Sequence, residues 1–214
     1  MTEGAAHSVE GSPRLVAVRE PSTPEGVVVV LHGGGSRGDR VVVSPTQLSV
    51  LRMIPTARAV ARAGRGRLAV YRLLNRYRGW DSEHTPVDDA DWAMAEVRER
   101  FPGAPIGLVG HSLGGRAAIL AGNERGVRSV VALNPWVYPT DTADLSGRRV
   151  LVVHGLRDRI ASPDRARAVV RNLSRTADVQ FVEIPEGKHA MVRRGREFDR
   201  RAAEFTAEVL LARV

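Results

Sequence analysis

The stretch Ile106-Gly107-Leu108-Val109-Gly110-His111-Ser112-Leu113-Gly114-Gly115 joins an apolar run to a helix-like run through a turn of glycine, histidine and serine. The apolar residues 106–109 predict a buried strand, and residues 113–125 predict a helix. Between them stands Gly-x-Ser-x-Gly. In that context the pattern describes a strained strand-to-helix turn with Ser112 at its tip, where Gly110 and Gly114 let neighbouring backbone pack close. A helix starting there aims its positive end at the serine, so the N–H of Leu113 can donate to a developing oxyanion. The bland alternative is a plain glycine turn, since short patterns recur by chance; the flanking strand and helix weigh against it.

The same alternation continues in both directions. Residues 15–18 predict an edge strand, and residues 27–31, 68–73, 127–133, 150–154 and 179–184 predict further strands. The unbroken valines of 27–31 imply burial on both faces and an inner place in the sheet. Helices are expected over 45–63, 86–100, 113–125, 163–174 and 196–212, several opening with Ser or Asp near a proline. Strands alternating with helices predict an α/β fold with a doubly wound, mostly parallel sheet. One domain over residues 13–214 is expected, behind a flexible tail of residues 1–12. Residues 134–148 are too few for a lid, so the site should lie open and be shaped by loops.

Composition narrows the class. The chain has 214 residues, 43% of them hydrophobic, enough for one closed core. Its formal charge of +8 comes from 32 Lys+Arg against 24 Asp+Glu, and Lys188 is the sole lysine. The arginines are spread without a dense block or interleaved aromatics, which argues against nucleic acid as a partner. Arg52, Arg58 and Arg62 read as a solvated helix face. Cysteine is absent, which excludes disulfides, a thiol nucleophile and thiolate metal sites. The first twelve residues lack an apolar leader-like core, and no run is long enough for a membrane span, so a cytoplasmic protein is expected.

His32-Gly33-Gly34-Gly35 follows the valine-rich strand. Glycines there let backbone N–H groups face a substrate, making Gly34, or alternatively Gly35, the second oxyanion donor. A phosphate cradle is the competing reading, weakened by the absence of P-loop spacing. His32 and His111 read as structural, with the His111 ring turned away from Ser112. His7 and His84 read as ordinary polar residues, and His154 as a brace for the turn after its strand. His189, on a loop after the final strand, remains as the candidate base. Asp158, beyond the 150–154 strand, is the candidate acid that orients it. Asp164 and Glu186 compete, but fit better as a first-turn helix charge and a solvated loop residue. Trp136, Tyr138 and Trp80 are candidates for pocket walls, with packing as the alternative. Arg116 and Arg157 are weaker candidates for meeting an acidic substrate.

On these motifs the chain resembles the α/β-hydrolase superfamily over nearly its whole length after the first dozen residues, in the order Ser112, Asp158, His189. The resemblance implies a nucleophile at Ser112, an acid at Asp158, a base at His189, and oxyanion donors at Leu113 and Gly34 or Gly35. It implies a small serine hydrolase without a lid, closest in kind to dienelactone hydrolases, carboxylesterases and acyl-thioesterases, acting on a small-molecule ester or thioester. Neither metal nor organic cofactor is implied. The first strands of the family's eight-stranded sheet are shortened or missing. A hydrolase-like fold that binds without turnover, and an acyltransferase or peptidase using the same residues, are the alternatives.

Overall fold

Four valines and a leucine in a row leave no polar side chain to face water, and β2 (Gly26–Leu31) is buried at every position. Alternation sorts its side chains by face. Val27, Val29 and Leu31 join one half of the core, whereas Val28 and Val30 join the other. The structure, a computed structural model, describes residues 11–35 and 40–212. His7 and the first ten residues of the expected tail lie outside the described residues.

The remaining strands are β1 (Arg14–Arg19), β3 (Leu68–Leu74), β4 (Ile106–His111), β5 (Val127–Leu133), β6 (Arg149–Gly155) and β7 (Asp178–Ile184). They form one sheet in the order β1-β3-β2-β4-β5-β6-β7, antiparallel only where β1 meets β3. The edge position expected for the first strand and the inner position expected for the valine strand are both observed.

Helices α1 (Leu48–Ala63) and α5 (Gly195–Leu211) cover one face, packing Met53, Ala57, Phe198 and Ala202 against the even valines. Helices α2 (Thr85–Arg100), α3 (Leu113–Leu120) and α4 (Pro163–Leu173) cover the other, through Ala90, Met94, Ala117, Ala166 and Val169. The fold is thus doubly wound, as expected.

Helix α3 falls furthest short of its expected length, ending at Leu120 rather than at Arg125. Turns replace its last residues, and at Gly122 among them a Cβ would come within 2.8 Å of Val130 Cγ2, so the chain passes close against β5 there. Among residues 134–148 no helix or strand forms, and the fold has no cap domain. The loops after β2, β4, β6 and β7 therefore meet above the carboxyl ends of the strands, where ligands of open α/β sheets bind.

Candidate active site

Ser112 sits between β4 and α3 with φ 54° and ψ −118°, a strained backbone for a residue with a side chain. Its surroundings hold it there. The Ser112 N–H donates to Leu133 O at 3.0 Å, and its carbonyl accepts from the N–H groups of Arg116 and Trp136, both at 3.1 Å. Gly110 and Gly114 are required by contact: a Cβ on Gly110 would lie 2.1 Å from Gly114 O, and one on Gly114 2.5 Å from His32 O. The elbow thus packs directly onto the glycine loop.

His189 stands between the other two candidates. Ser112 Oγ–H donates to His189 Nε2 at 2.9 Å, and His189 Nδ1–H donates to Asp158 Oδ2 at 2.8 Å. Burial pushes the Asp158 carboxyl up, but the bonds from His189 and from the amides of Ile160 and Ala161 outweigh it, leaving Asp158 below the usual carboxylate range. Neither competitor is bonded to the ring: Asp164 pairs with Arg167 and Glu186 with Arg157.

The loop carrying His189 is pinned from below. Asn134, buried and at φ 42°, donates from Nδ2 to the carbonyls of Lys188 and His189, both at 3.1 Å. Its Oδ1 accepts from the Gly155 N–H at 2.8 Å, tying the base loop to the acid loop. His111 Nε2–H also donates to His189 O, at 2.8 Å, so its ring is engaged with the base loop rather than with the Ser112 hydroxyl. Burial lowers the His111 pKa to about 3, and that of His32 to about 4. His32 braces the glycine loop, donating to Gly33 O at 2.6 Å and accepting from the Asn75 N–H at 3.2 Å. His154, also lowered by burial, donates to Ala161 O at 3.2 Å beside Asp158. These three rings are neutral braces, and His189 alone links a hydroxyl to a carboxylate.

The two candidate positions in the glycine loop differ. Gly35 donates its N–H to Arg78 O at 3.2 Å and bridges to Gly79, so its amide is taken and it does not serve as the alternative donor. Gly34 lines the pocket beside Ser112, and a Cβ on it would lie 1.8 Å from Arg78 O, so only glycine fits there. Leu113, first residue of α3, has no acceptor one turn back for its N–H.

The pocket at Ser112 has a volume of about 580 Å³. Leu48, Leu51, Arg52 and Pro55 of α1 form one wall, Ala190 and Val192 the other, and Gly33, Gly34, His111, Ser112 and His189 the floor. Trp80, Trp136 and Tyr138, expected as candidate pocket walls, do not line it. They surround Arg116 instead, at 4.2, 6.0 and 5.0 Å from its guanidinium carbon to the respective ring centres. Arg116 is itself buried and pairs with Asp141 through bonds of 2.8 and 2.7 Å, so it is not free to meet a substrate. Among the described residues no group of His, Cys, Asp or Glu is arranged to hold a metal ion.

A family model described as "Serine aminopeptidase, S33" matches residues 22–150. The chain belongs to this family. It is a member of the α/β-hydrolase superfamily, and the matched stretch includes the glycine loop and the serine elbow but stops before Asp158 and His189. Among solved structures, Est1E from Butyrivibrio proteoclasticus is 14% identical, with 94% of each chain covered and a TM-score of 0.68. An α/β serine hydrolase without a lid from Xanthomonas campestris is 19% identical, with 94% of this chain and 90% of that chain covered and a TM-score of 0.66. A monoacylglycerol lipase from Paleococcus ferrophilus is 18% identical, with coverages of 92% and 99% and a TM-score of 0.65. Likeness at these identities shows the fold. Comparison with curated proteins gives no match.

Within this α/β hydrolase, sequence reasoning missed Asn134 and the α1 wall. A lone Asn after a strand gives no local signal for a clamp on a loop more than fifty positions away. The stripe Leu48, Leu51, Arg52 and Pro55, spaced i, i+3, i+4, i+7, carries the apolar period of a core-facing helix, yet Leu48 is 83% exposed. Arg52 also leaves the solvated face expected for it: it turns into the pocket, while Arg58 and Arg62 are exposed. No helix among the described residues is long and apolar enough to cross a membrane.

Proposed function

We propose that this serine hydrolase cleaves a small ester or thioester through Ser112, His189 and Asp158, by way of an acyl-enzyme. The observation that carries the reading is the His189 ring bonded to a hydroxyl on one nitrogen and to a buried carboxylate on the other. His189 takes the Ser112 proton as Oγ attacks the carbonyl carbon, and the Asp158 carboxylate stabilises the imidazolium that forms. The amides of Leu113 and Gly34 hold the oxyanion; losing one such donor costs about 100- to 1,000-fold in turnover. His189 then protonates the leaving alcohol or thiol. Water, deprotonated by His189, attacks the acyl-enzyme and releases the acid. No metal or organic cofactor enters any of these steps.

The family's description as a serine aminopeptidase favours a second reading, hydrolysis of an amide at a peptide's amino end. A free amino terminus calls for a carboxylate in the pocket. Among the described residues, the fixed charge lining the Ser112 pocket is that of Arg52, which speaks for the ester reading. A panel of 4-nitrophenyl esters, acyl thioesters and aminoacyl anilides of varied acyl length, run beside Ser112→Ala, tests this. Ester or thioester turnover abolished by the substitution is expected; anilide turnover exceeding both would favour the peptidase, and turnover unaffected by the substitution would remove the proposal.

A further inference from the structure

Arginines 40, 67, 76, 98, 100, 116, 149, 157, 167 and 200 form ion pairs with carboxylates among the described residues. Arg52 is not among them, although it is half-buried and stands in the wall of the pocket that holds Ser112. Its neighbours along the α1 stripe, Leu48, Leu51 and Pro55, are apolar, as are Ala190 and Val192 opposite. Leu48 and Val192, at 83% and 75% exposed, leave this groove open to a ligand. A guanidinium half-withdrawn from water among apolar side chains loses hydration that no hydrogen bond or ion pair among the described residues replaces, and Asp199 acts on its charge only from beyond ion-pair distance.

The nearest carboxylates, Glu197 and Asp199, share an adjoining pocket with Arg52 without forming an ion pair with it. Asp199 accepts from Thr56 Oγ1 at 2.6 Å and lines, with Glu197, Arg52, Pro55 and Val192, an adjoining pocket of about 550 Å³; burial raises its carboxyl pKa, and the charges of Arg52 and Arg62 offset part of that rise. Arg194 and Arg196 line that second pocket as well and add positive charge to it. A substrate with its carbonyl at Ser112 thus shares the groove with the apolar side chains of Leu48 and Leu51 and with the Arg52 guanidinium.

We propose that Arg52 binds a carboxylate carried by the ester substrate, so that the pocket selects anionic esters over neutral esters of the same length. The proposal rests on the hydrolase reading above and adds the charge of its substrate. One half-buried guanidinium balances one charge, and its planar fork bonds a carboxylate through two N–H groups. Because that contact lies away from the reacting atoms, it strengthens substrate and transition state alike and acts on KM more than on kcat.

Two matched pairs of substrates locate the charge: mono-4-nitrophenyl adipate against 4-nitrophenyl hexanoate for the acyl side, and 4-carboxyphenyl against 4-methoxycarbonylphenyl hexanoate for the leaving group. In one pair, the anionic-to-neutral ratio of kcat/KM should be about 10- to 100-fold higher in the natural protein than in Arg52→Gln, mostly through KM. Arg52→Lys should fall between, since it keeps the charge and loses the fork. Arg58→Gln, an equal change of charge at an exposed position of the same helix, should keep the natural ratio. Equal ratios for the natural protein and Arg52→Gln in both pairs, with Ser112-dependent turnover of the neutral esters, overturn this proposal alone. An absence of Ser112-dependent turnover in all four overturns the hydrolase reading and this proposal with it.

Discussion

The two flanks of Ser112 are built on opposite plans. Toward α1 the flank is open and apolar, made by a helix stripe and the loop after His189, with Arg52 in no ion pair among the described residues. Toward residues 134–148 it is filled: Trp80, Trp136 and Tyr138 enclose Arg116, which is held by Asp141. Side chains that bind ligands in other proteins are here spent on a buried ion pair, and side chains that usually make core face solvent. Residue type alone therefore does not tell a pocket from packing. The partner of each polar group does: Arg116 is bonded to a carboxylate, and Arg52 forms no ion pair among the described residues.

The largest expected effect separates the flanks by acid. His32 and His111 brace the loops of the open flank while held neutral, at pKa values of about 4 and about 3. Their folded pKa values lie below the unfolded value near 6.5, so the unfolded chain binds more protons and stability falls as pH drops from there. Each ring should cost about 1.4 kcal/mol per pH unit through that window, down to its folded pKa. Depressed Asp158 adds a loss only below its unfolded value near 4. Urea midpoints measured from pH 7 to 4.5 should decline steadily, and a flat profile would contradict neutral histidine braces.

Next in size is the filled flank. Asp141→Ala strands the Arg116 guanidinium, only 8% exposed, and should destabilise by about 3–5 kcal/mol. Calorimetry should show Tm lower by about 10 °C. Combining Asp141→Leu with Arg116→Met should recover most of it, because an apolar pair of similar volume replaces the ions. A single variant as stable as the natural protein would mean that this flank is not held by its ion pair.

The smallest effect belongs to the open flank. Leu51→Ala removes a side chain that is 40% exposed and should change stability by less than about 0.5 kcal/mol. The same substitution should raise KM for a hexanoyl ester by roughly 10-fold. Loss of stability without change in KM would return Leu51 to the core and close the pocket.

Much of this arrangement was legible beforehand, for physical reasons. The run Val27 to Val30 has one solution, an inner strand, and Gly110 with Gly114 around Ser112 has backbone contacts that admit no other residue. Strand ends then bring Asp158 and His189 to the same edge of the sheet as Ser112. The pocket was not legible, because Leu48 and Leu51 have the period of a buried stripe and only tertiary placement leaves them uncovered. The aromatics misled for the complementary reason: their positions after strands suit a pocket wall, but Arg116, one turn into α3, claims them. Gly35 shows the same limit, since its pairing with Arg78 crosses from a distant loop.

The central claim is that His189 activates the Ser112 hydroxyl. Labelling with a fluorophosphonate, read by intact mass and peptide mapping, tests it most directly. One adduct per chain on Ser112 is predicted, absent in Ser112→Ala and slowed by about 1,000-fold or more in His189→Ala. Folded protein that takes no label, or labels equally fast without His189, would contradict it.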